Sequence, residues 1–121
     1  MGASKKYFYK QSQIDLSIIC KAMGHPARIS IIEYLAKYDH LCCNDLVELI
    51  PLSQSSISRH MNILFDVGIL GNEVIGNQCY YRINAAAFEE YLNQMDKIQQ
   101  QVNSKKLLYS SVYFKPYYAV L

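Results

Sequence analysis

From Ser53 to Gly68 the apolar positions fall in one stripe: Ile57, Met61, Leu64 and Phe65 recur at i, i+4, i+7 and i+8, the spacing of an α-helix with one buried face. Ser53 suits an N-cap, and Gly68 can take the left-handed conformation that closes a helix. At about 100° per residue, the side away from the stripe carries Ser55, Ser56, Arg59 and Asn62, with Ile63 the one apolar exception. The same period recurs upstream. Ile14, Ile18, Ile19, Ala22 and Met23 predict a helix over residues 13–23, broken at Gly24. A second helix starts at Pro26, a residue favoured at the first helical position, with Ile29, Ile32 and Ala36 spaced along it and Ile31 and Leu35 beside them. His25 between the two reads as a turn residue. Cys43, Leu46, Val47 and Ile50 give a short third helix that Pro51 ends. After Gly68 the pattern shortens to a period near two. Ile69-Leu70 and Val74-Ile75 are followed by a Gly76-Asn77 turn and by Gln78 to Ile83, rich in strand formers, so a β-hairpin is expected. A last helix, residues 85–102, lines up Phe88, Tyr91, Leu92, Met95, Ile98 and Val102 on one side.

Two short helices joined by a turn of a few residues, the second with a polar outer face, make a helix-turn-helix, and a hairpin directly behind it makes a wing. The expected fold is mainly α with a β-hairpin wing, a winged helix-turn-helix. Residues 1–12 form an N-terminal arm, 13–102 the domain and 103–121 an aromatic-rich C-terminal tail. Short hydroxyl and amide side chains let a helix sit deep in the major groove of double-stranded DNA, and one arginine can bond a guanine edge with both arms of its fork. The expected DNA-contacting residues are therefore Gln54, Ser55, Ser56, Ser58, Arg59 and Asn62, with Asn77 and Gln78 at the wing tip. The apolar face of the last helix needs a cover, and a second copy of the chain is the economical one.

Charge complicates this picture. Of the twelve basic residues, Lys5, Lys6, Lys10, Lys105, Lys106 and Lys115 lie in residues 1–10 and 103–121, which hold no acid; six basic against ten acidic residues remain, a net charge of −4 on the body. The hairpin carries Glu73 and no lysine, so little phosphate affinity is expected from it, and Arg82 either reaches the DNA backbone or pairs with an acid of the body. With 51% hydrophobic residues in 121, one domain with a substantial core is expected. No apolar run nears the roughly 18 residues that span a membrane and no signal-peptide core is present, so the expected location is the cytoplasm, where Cys20, Cys42, Cys43 and Cys79 begin as free thiols. Their spacing marks no zinc site. His25, His40 and His60 show no spacing that would pair a base with a nucleophile, so no enzyme and no cofactor is expected.

The chain resembles the ArsR/SmtB family of bacterial winged-helix repressors. The likeness rests on Lys21 to Arg28, Leu41 to Leu46, Leu52 to Met61 and the Tyr80-Tyr81-Arg82-Ile83 of the hairpin, and covers roughly residues 14–102. It implies a homodimer joined through its first and last helices, here Ile14, Ile18, Phe88, Leu92, Met95 and Ile98, reading a palindromic operator and releasing it when an inducer binds. The inducer stays open. Family members that sense thiophilic metals carry Cys-x-Cys at the start of the third helix. Here Cys42 takes the first ligand position, Cys43 the intervening apolar position and Asn44 replaces the second ligand, which leaves Cys42 as the one matching metal candidate, with Cys43 read as part of the buried stripe. The family's site on the last helix corresponds to Ala85, Ala87, Ile98 and Gln101, none a strong ligand, so no zinc sensing is expected there. Two alternatives remain: a repressor that senses oxidants through Cys20, Cys42 or Cys79, and a winged-helix protein-interaction module that does not bind DNA.

Overall fold

Residues 8–105, together with 112, 113 and 115, are described by the structure, a computed structural model. Among them five α-helices and three strands follow in the order α1 (Gln11–Met23), α2 (Pro26–Tyr38), β1 (Leu41–Cys42), α3 (Cys43–Leu49), α4 (Gln54–Asp66), β2 (Leu70–Ile75), β3 (Gln78–Ile83) and α5 (Ala85–Asn103). The helix α1 begins two residues inside the expected arm, because the backbone N–H of Lys10 donates to Gln13 Oε1 at 2.9 Å and starts the first turn early. Lys5, Lys6, Lys106 and the tail aromatics Tyr109, Phe114, Tyr117 and Tyr118 lie outside the described residues.

Each helix end has a local cause. His25 caps α2 by accepting the Ala27 N–H on its Nδ1 at 3.0 Å, and Pro26 opens the helix. The cap of α4 is Ser53, whose hydroxyl accepts the N–H of Ser56 at 3.2 Å. Gly68, at φ 86°, ends that helix: its N–H reaches Phe65 O and the next N–H, of Ile69, reaches back to Leu64 O. This is the paired closure that a left-handed residue allows. Helix α2 stops differently. Asp39 stands at φ 69° and ψ −59°, and the His40 N–H closes on Tyr38 O at 2.8 Å, a γ-turn of the rarer positive-φ kind that strains a residue bearing a Cβ.

The core gathers Ala22 from α1, Ile31, Ile32 and Leu35 from α2, Leu41 and Cys42 from β1, Leu46 and Ile50 around α3, Ile57, Met61 and Leu64 from α4, and Ile69 and Leu70 where the hairpin begins. The stripe expected on α4 is thus seated, except that Phe65 lies at its solvent edge, stacked edge-on against Tyr81. On α2 the buried side is Ile31, Ile32 and Leu35, while Ile29 and Ala36 face outward; two adjacent isoleucines define that face, not the i, i+3, i+7 row. The sheet is antiparallel in the order β1-β3-β2. Gly76, at φ 63°, turns the hairpin so that Ile75 faces Gln78 and Leu70 faces Ile83. β1 adds a third strand that the sequence pattern does not announce.

Candidate nucleic-acid interface

Helices α3 and α4 are joined by the four residues Ile50 to Ser53, with Ile57, Met61 and Leu64 of α4 buried, so the opposite side of α4 faces out. Gln54, Ser55, Arg59 and Asn62 are exposed there; Ser56 and Ser58 are half-buried. Ser55 Oγ lies 3.2 Å from Ser53 Oγ, which places its hydroxyl at the helix N-terminus. Arg59 makes no ion pair among the described residues, so its fork is free. Asn77 and Gln78 are exposed at the hairpin turn, beside the exposed aliphatic Val74 and Ile75. The structure therefore brings the expected residues to two surfaces, the outer side of α4 and the wing tip. Arg82 is drawn back from both: its guanidinium lies 4.0 Å from Asp39 and 4.0 Å from Glu73.

Sequence periodicity misses His60. Its side chain is buried beside α4's apolar stripe, its Nδ1 lies 3.1 Å from Arg28 Nη1, and its ring sits 4.5 Å from that of His25. A guanidinium can only donate, so His60 Nδ1 accepts and the ring is neutral. The same Arg28 donates through Nε to the carbonyl of Ala22. One side chain thus fastens the end of α1, the first turn of α2 and the middle of α4. Burial first, then the positive charges of His25, Arg28 and Arg59, hold the His60 pKa below its ordinary 6.5. A histidine whose folded pKa is depressed contributes stability above its unfolded pKa and loses it as pH falls from there toward the folded value. The midpoint of thermal unfolding should therefore fall as pH is lowered through about 6.5, the ordinary value that the unfolded chain keeps, and His60→Gln should flatten that slope. Equal slopes for both chains would assign the loss to other groups.

The residues expected to dimerise divide. Ile18, Leu92, Met95 and Ile98 are exposed and Ile14 is half-buried, but Phe88 packs against the core of its own chain and faces Tyr91. It is half-buried there, in the first turn of α5 that Asn84 caps and that the bond from Asn84 N–H to Ile69 O pins to the start of the hairpin. Between α1 and α5 a cavity of about 390 Å³ is lined by Leu16, Ile19, Val67, Tyr91 and Gln94, among others, and Gln94 Oε1 is buried without a hydrogen-bond partner.

The cysteines also divide, and not as expected. Cys42, the metal and redox candidate, is the buried one: it is the N-cap of α3, and its backbone N–H and thiol both meet Asp45 Oδ2, at 3.0 and 3.2 Å. Cys43, expected in the buried stripe, is only half-buried. Helical spacing does not hold at the cap, where the extended backbone of Cys42 places that residue in the interior. No group of three His, Cys, Asp or Glu side chains that could hold a metal ion occurs among the described residues. Cys20 is exposed on α1 against Tyr91, whose hydroxyl is pushed up by burial and then by that thiol.

A short helix pair presenting a hydrogen-bonding helix, backed by a hairpin, defines a winged helix-turn-helix DNA-binding protein. Residues 25–70 match the family described as "Bacterial regulatory protein, arsR family". The chain is 35% identical to the arsenical resistance operon repressor of Staphylococcus xylosus over 80 residues, 66% of this chain and 75% of that protein. Its fold is similar to an ArsR-like transcriptional regulator from Rhodococcus sp. RHA1, with a TM-score of 0.71 at 17% identity over 88% of this chain and all of the other. It is also similar to the transcriptional repressor PagR of Bacillus anthracis, with a TM-score of 0.58 at 28% identity over 67% of this chain and 94% of that one. The chain belongs to the ArsR family of bacterial transcriptional regulators. No helix among the described residues is long and apolar enough to cross a membrane.

Proposed function

We propose that the chain is a DNA-binding transcriptional repressor that reads a palindromic operator as a homodimer, with Gln54, Ser55, Arg59 and Asn62 at base edges and Asn77 and Gln78 of the wing at the backbone. The observation that carries the reading is the outer side of α4: hydrogen-bonding, exposed, and bearing an arginine with no ion-pair partner in the described protein. The half-buried Ser56 and Ser58 flank that side and fix its edges. Titration of an operator-length duplex at low and moderate salt tests it. Saturable binding that discriminates between sequences supports the reading; no binding even at low salt would make the chain a winged-helix interaction module. That rival has one observation in its favour, since Arg82 of the wing is engaged by Asp39 and Glu73 and adds no free positive charge.

Long-range attraction must then come from the terminal lysines. Each phosphate neutralised adds about 0.9 to the slope of log affinity against log salt. Removing residues 1–7 deletes Lys5 and Lys6 and spares Lys10, which starts α1. That chain should show a flatter slope and weaker binding to specific and non-specific duplexes alike, with its preferred sequence unchanged. Identical slopes for the full and shortened chains would leave Lys5 and Lys6 as solubilising charge.

A further inference from the structure

Two cavities open between α1 and α5. The first, of about 390 Å³, is lined by Asp15 and Ile19 of α1 and by Glu90 and Tyr91 of α5, among others. The second, of about 350 Å³, is lined by Lys10, Gln13, Lys97 and Gln101, among others. The lining residues fall in number along α1 as they rise along α5, so the helices are antiparallel there. Leu16 and Gln94 line both cavities, which makes one groove with those two side chains at its middle. Its ends differ in charge: Asp15 and Glu90 stand at one, Lys10 and Lys97 at the other, and none of the four makes an ion pair among the described residues. Instead, each carboxylate bonds a neutral amide. Gln94 Nε2 donates to Glu90 Oε1 at 3.4 Å, and Gln11 Nε2 donates to Asp15 Oδ1 at 2.8 Å. Gln94 Oε1 is buried without a hydrogen-bond partner among the described residues, a condition that folded chains seldom leave unmet.

A molecule that suits this groove has a cation at one end, an anion at the other, an N–H donor between them and an apolar body. A peptide with free termini has all four. Glu90 and Lys97 stand seven residues apart on α5, about 10 Å at 1.5 Å per residue. An extended peptide advances about 3.3–3.6 Å per residue, so about three residues cover that span. We propose that the groove between α1 and α5 binds an apolar peptide of about three residues. Its ammonium lies at Asp15 and Glu90, its carboxylate at Lys10 and Lys97, a backbone N–H on Gln94 Oε1, and its side chains against Leu16, Ile19 and Tyr91. At about 100° per residue, Glu90, Gln94 and Lys97 lie on the side of α5 away from Leu92 and Met95. A second copy of the chain seated on Leu92 and Met95 therefore leaves the groove open, and adjoins it at Ile18 and Ile98 on its rim.

Isothermal titration calorimetry of the full chain with the tripeptide Ala-Leu-Ala tests this without DNA, so its outcome is separate from that of the repressor reading. Saturable binding is expected, weakened about tenfold by N-acetylation and about as much by C-amidation, because each removes a charge that faces two side chains. Glu90→Gln should weaken the free peptide roughly threefold and leave the acetylated one unchanged, and Lys97→Gln should do the same for the free and amidated forms. Gln94→Leu replaces an unbonded acceptor with an apolar group and should stay folded. It should weaken Ala-Leu-Ala about fivefold but not ω-aminooctanoate, a zwitterion of about the same length that has no amide. No saturable heat at millimolar peptide, an affinity indifferent to blocking either terminus, or an unchanged affinity in Gln94→Leu would overturn the proposal. So would ω-aminooctanoate binding as tightly as Ala-Leu-Ala.

Discussion

Replacing Leu92 and Met95 together with glutamate is expected to give a chain that stays folded, sediments as a monomer and loses operator affinity roughly a hundredfold or more. Helix α5 runs for 19 residues without one buried residue, while Leu92, Met95, Ile98 and Val102 are 51%, 40%, 44% and 48% exposed. Covering such a half-exposed side chain is worth about 1 kcal/mol, half of what full burial gives. Eight of them across two copies come to about 8 kcal/mol, of the same order as the cost of association. Four introduced carboxylates in the same seam would remove that gain and add repulsion. Phe88 is left intact in this variant because it supports its own chain's core, so loss of binding reports assembly and not unfolding. Circular dichroism should be unchanged; a wild-type chain monomeric at micromolar concentration would sink the dimer.

The second large effect is expected at Arg59. Arg59→Ala should cost about 1 to 3 kcal/mol and relax discrimination at one base pair of each half-site. The side chain is exposed on the outer side of α4 and has no ion-pair partner among the described residues, so no intrachain contact is lost and the folded stability should hold. Arg59→Lys should restore little discrimination, since a single ammonium cannot make the paired bonds of the guanidinium fork. Measured against a set of operators varied one base pair at a time, a uniform loss with a flatter salt slope would move Arg59 to a phosphate.

Helix α4 was legible in the sequence because three things agree within it: the Ile57, Met61, Leu64 period, the Ser53 cap and Gly68 at the left-handed closing position. The hairpin was legible for a similar reason, Gly76-Asn77 between two runs of strand formers. β1 was not, because two residues have no period; it exists only because β3 offers an edge for Leu41 and Cys42. His60 was missed since an imidazole counts as polar in any periodicity, and what allows it to be buried is an arginine 32 positions earlier. The exchanged roles of Cys42 and Cys43 come from a helix that starts one residue after the strand ends, where the period changes between neighbours. Partners distant in the chain, such as Asp39 and Glu73 on Arg82, decide whether a wing cation is free, and local pattern does not contain them.

Arg28 joins the last turn of α1 to the middle of α4 through two hydrogen bonds, and this makes it a lever arm. In a two-fold dimer on B-form DNA the recognition helices stand about 34 Å apart, each about 17 Å from the axis. A tilt of about 10° at that radius moves a helix by about 3 Å, close to the roughly 3.4 Å rise of one base pair. A small rocking of α1 against α5, carried across by one guanidinium, would therefore shift the phase of the two helices on the duplex by nearly a whole base pair. Release of DNA by such a chain would need a change of angle at the seam and no change of conformation within α4.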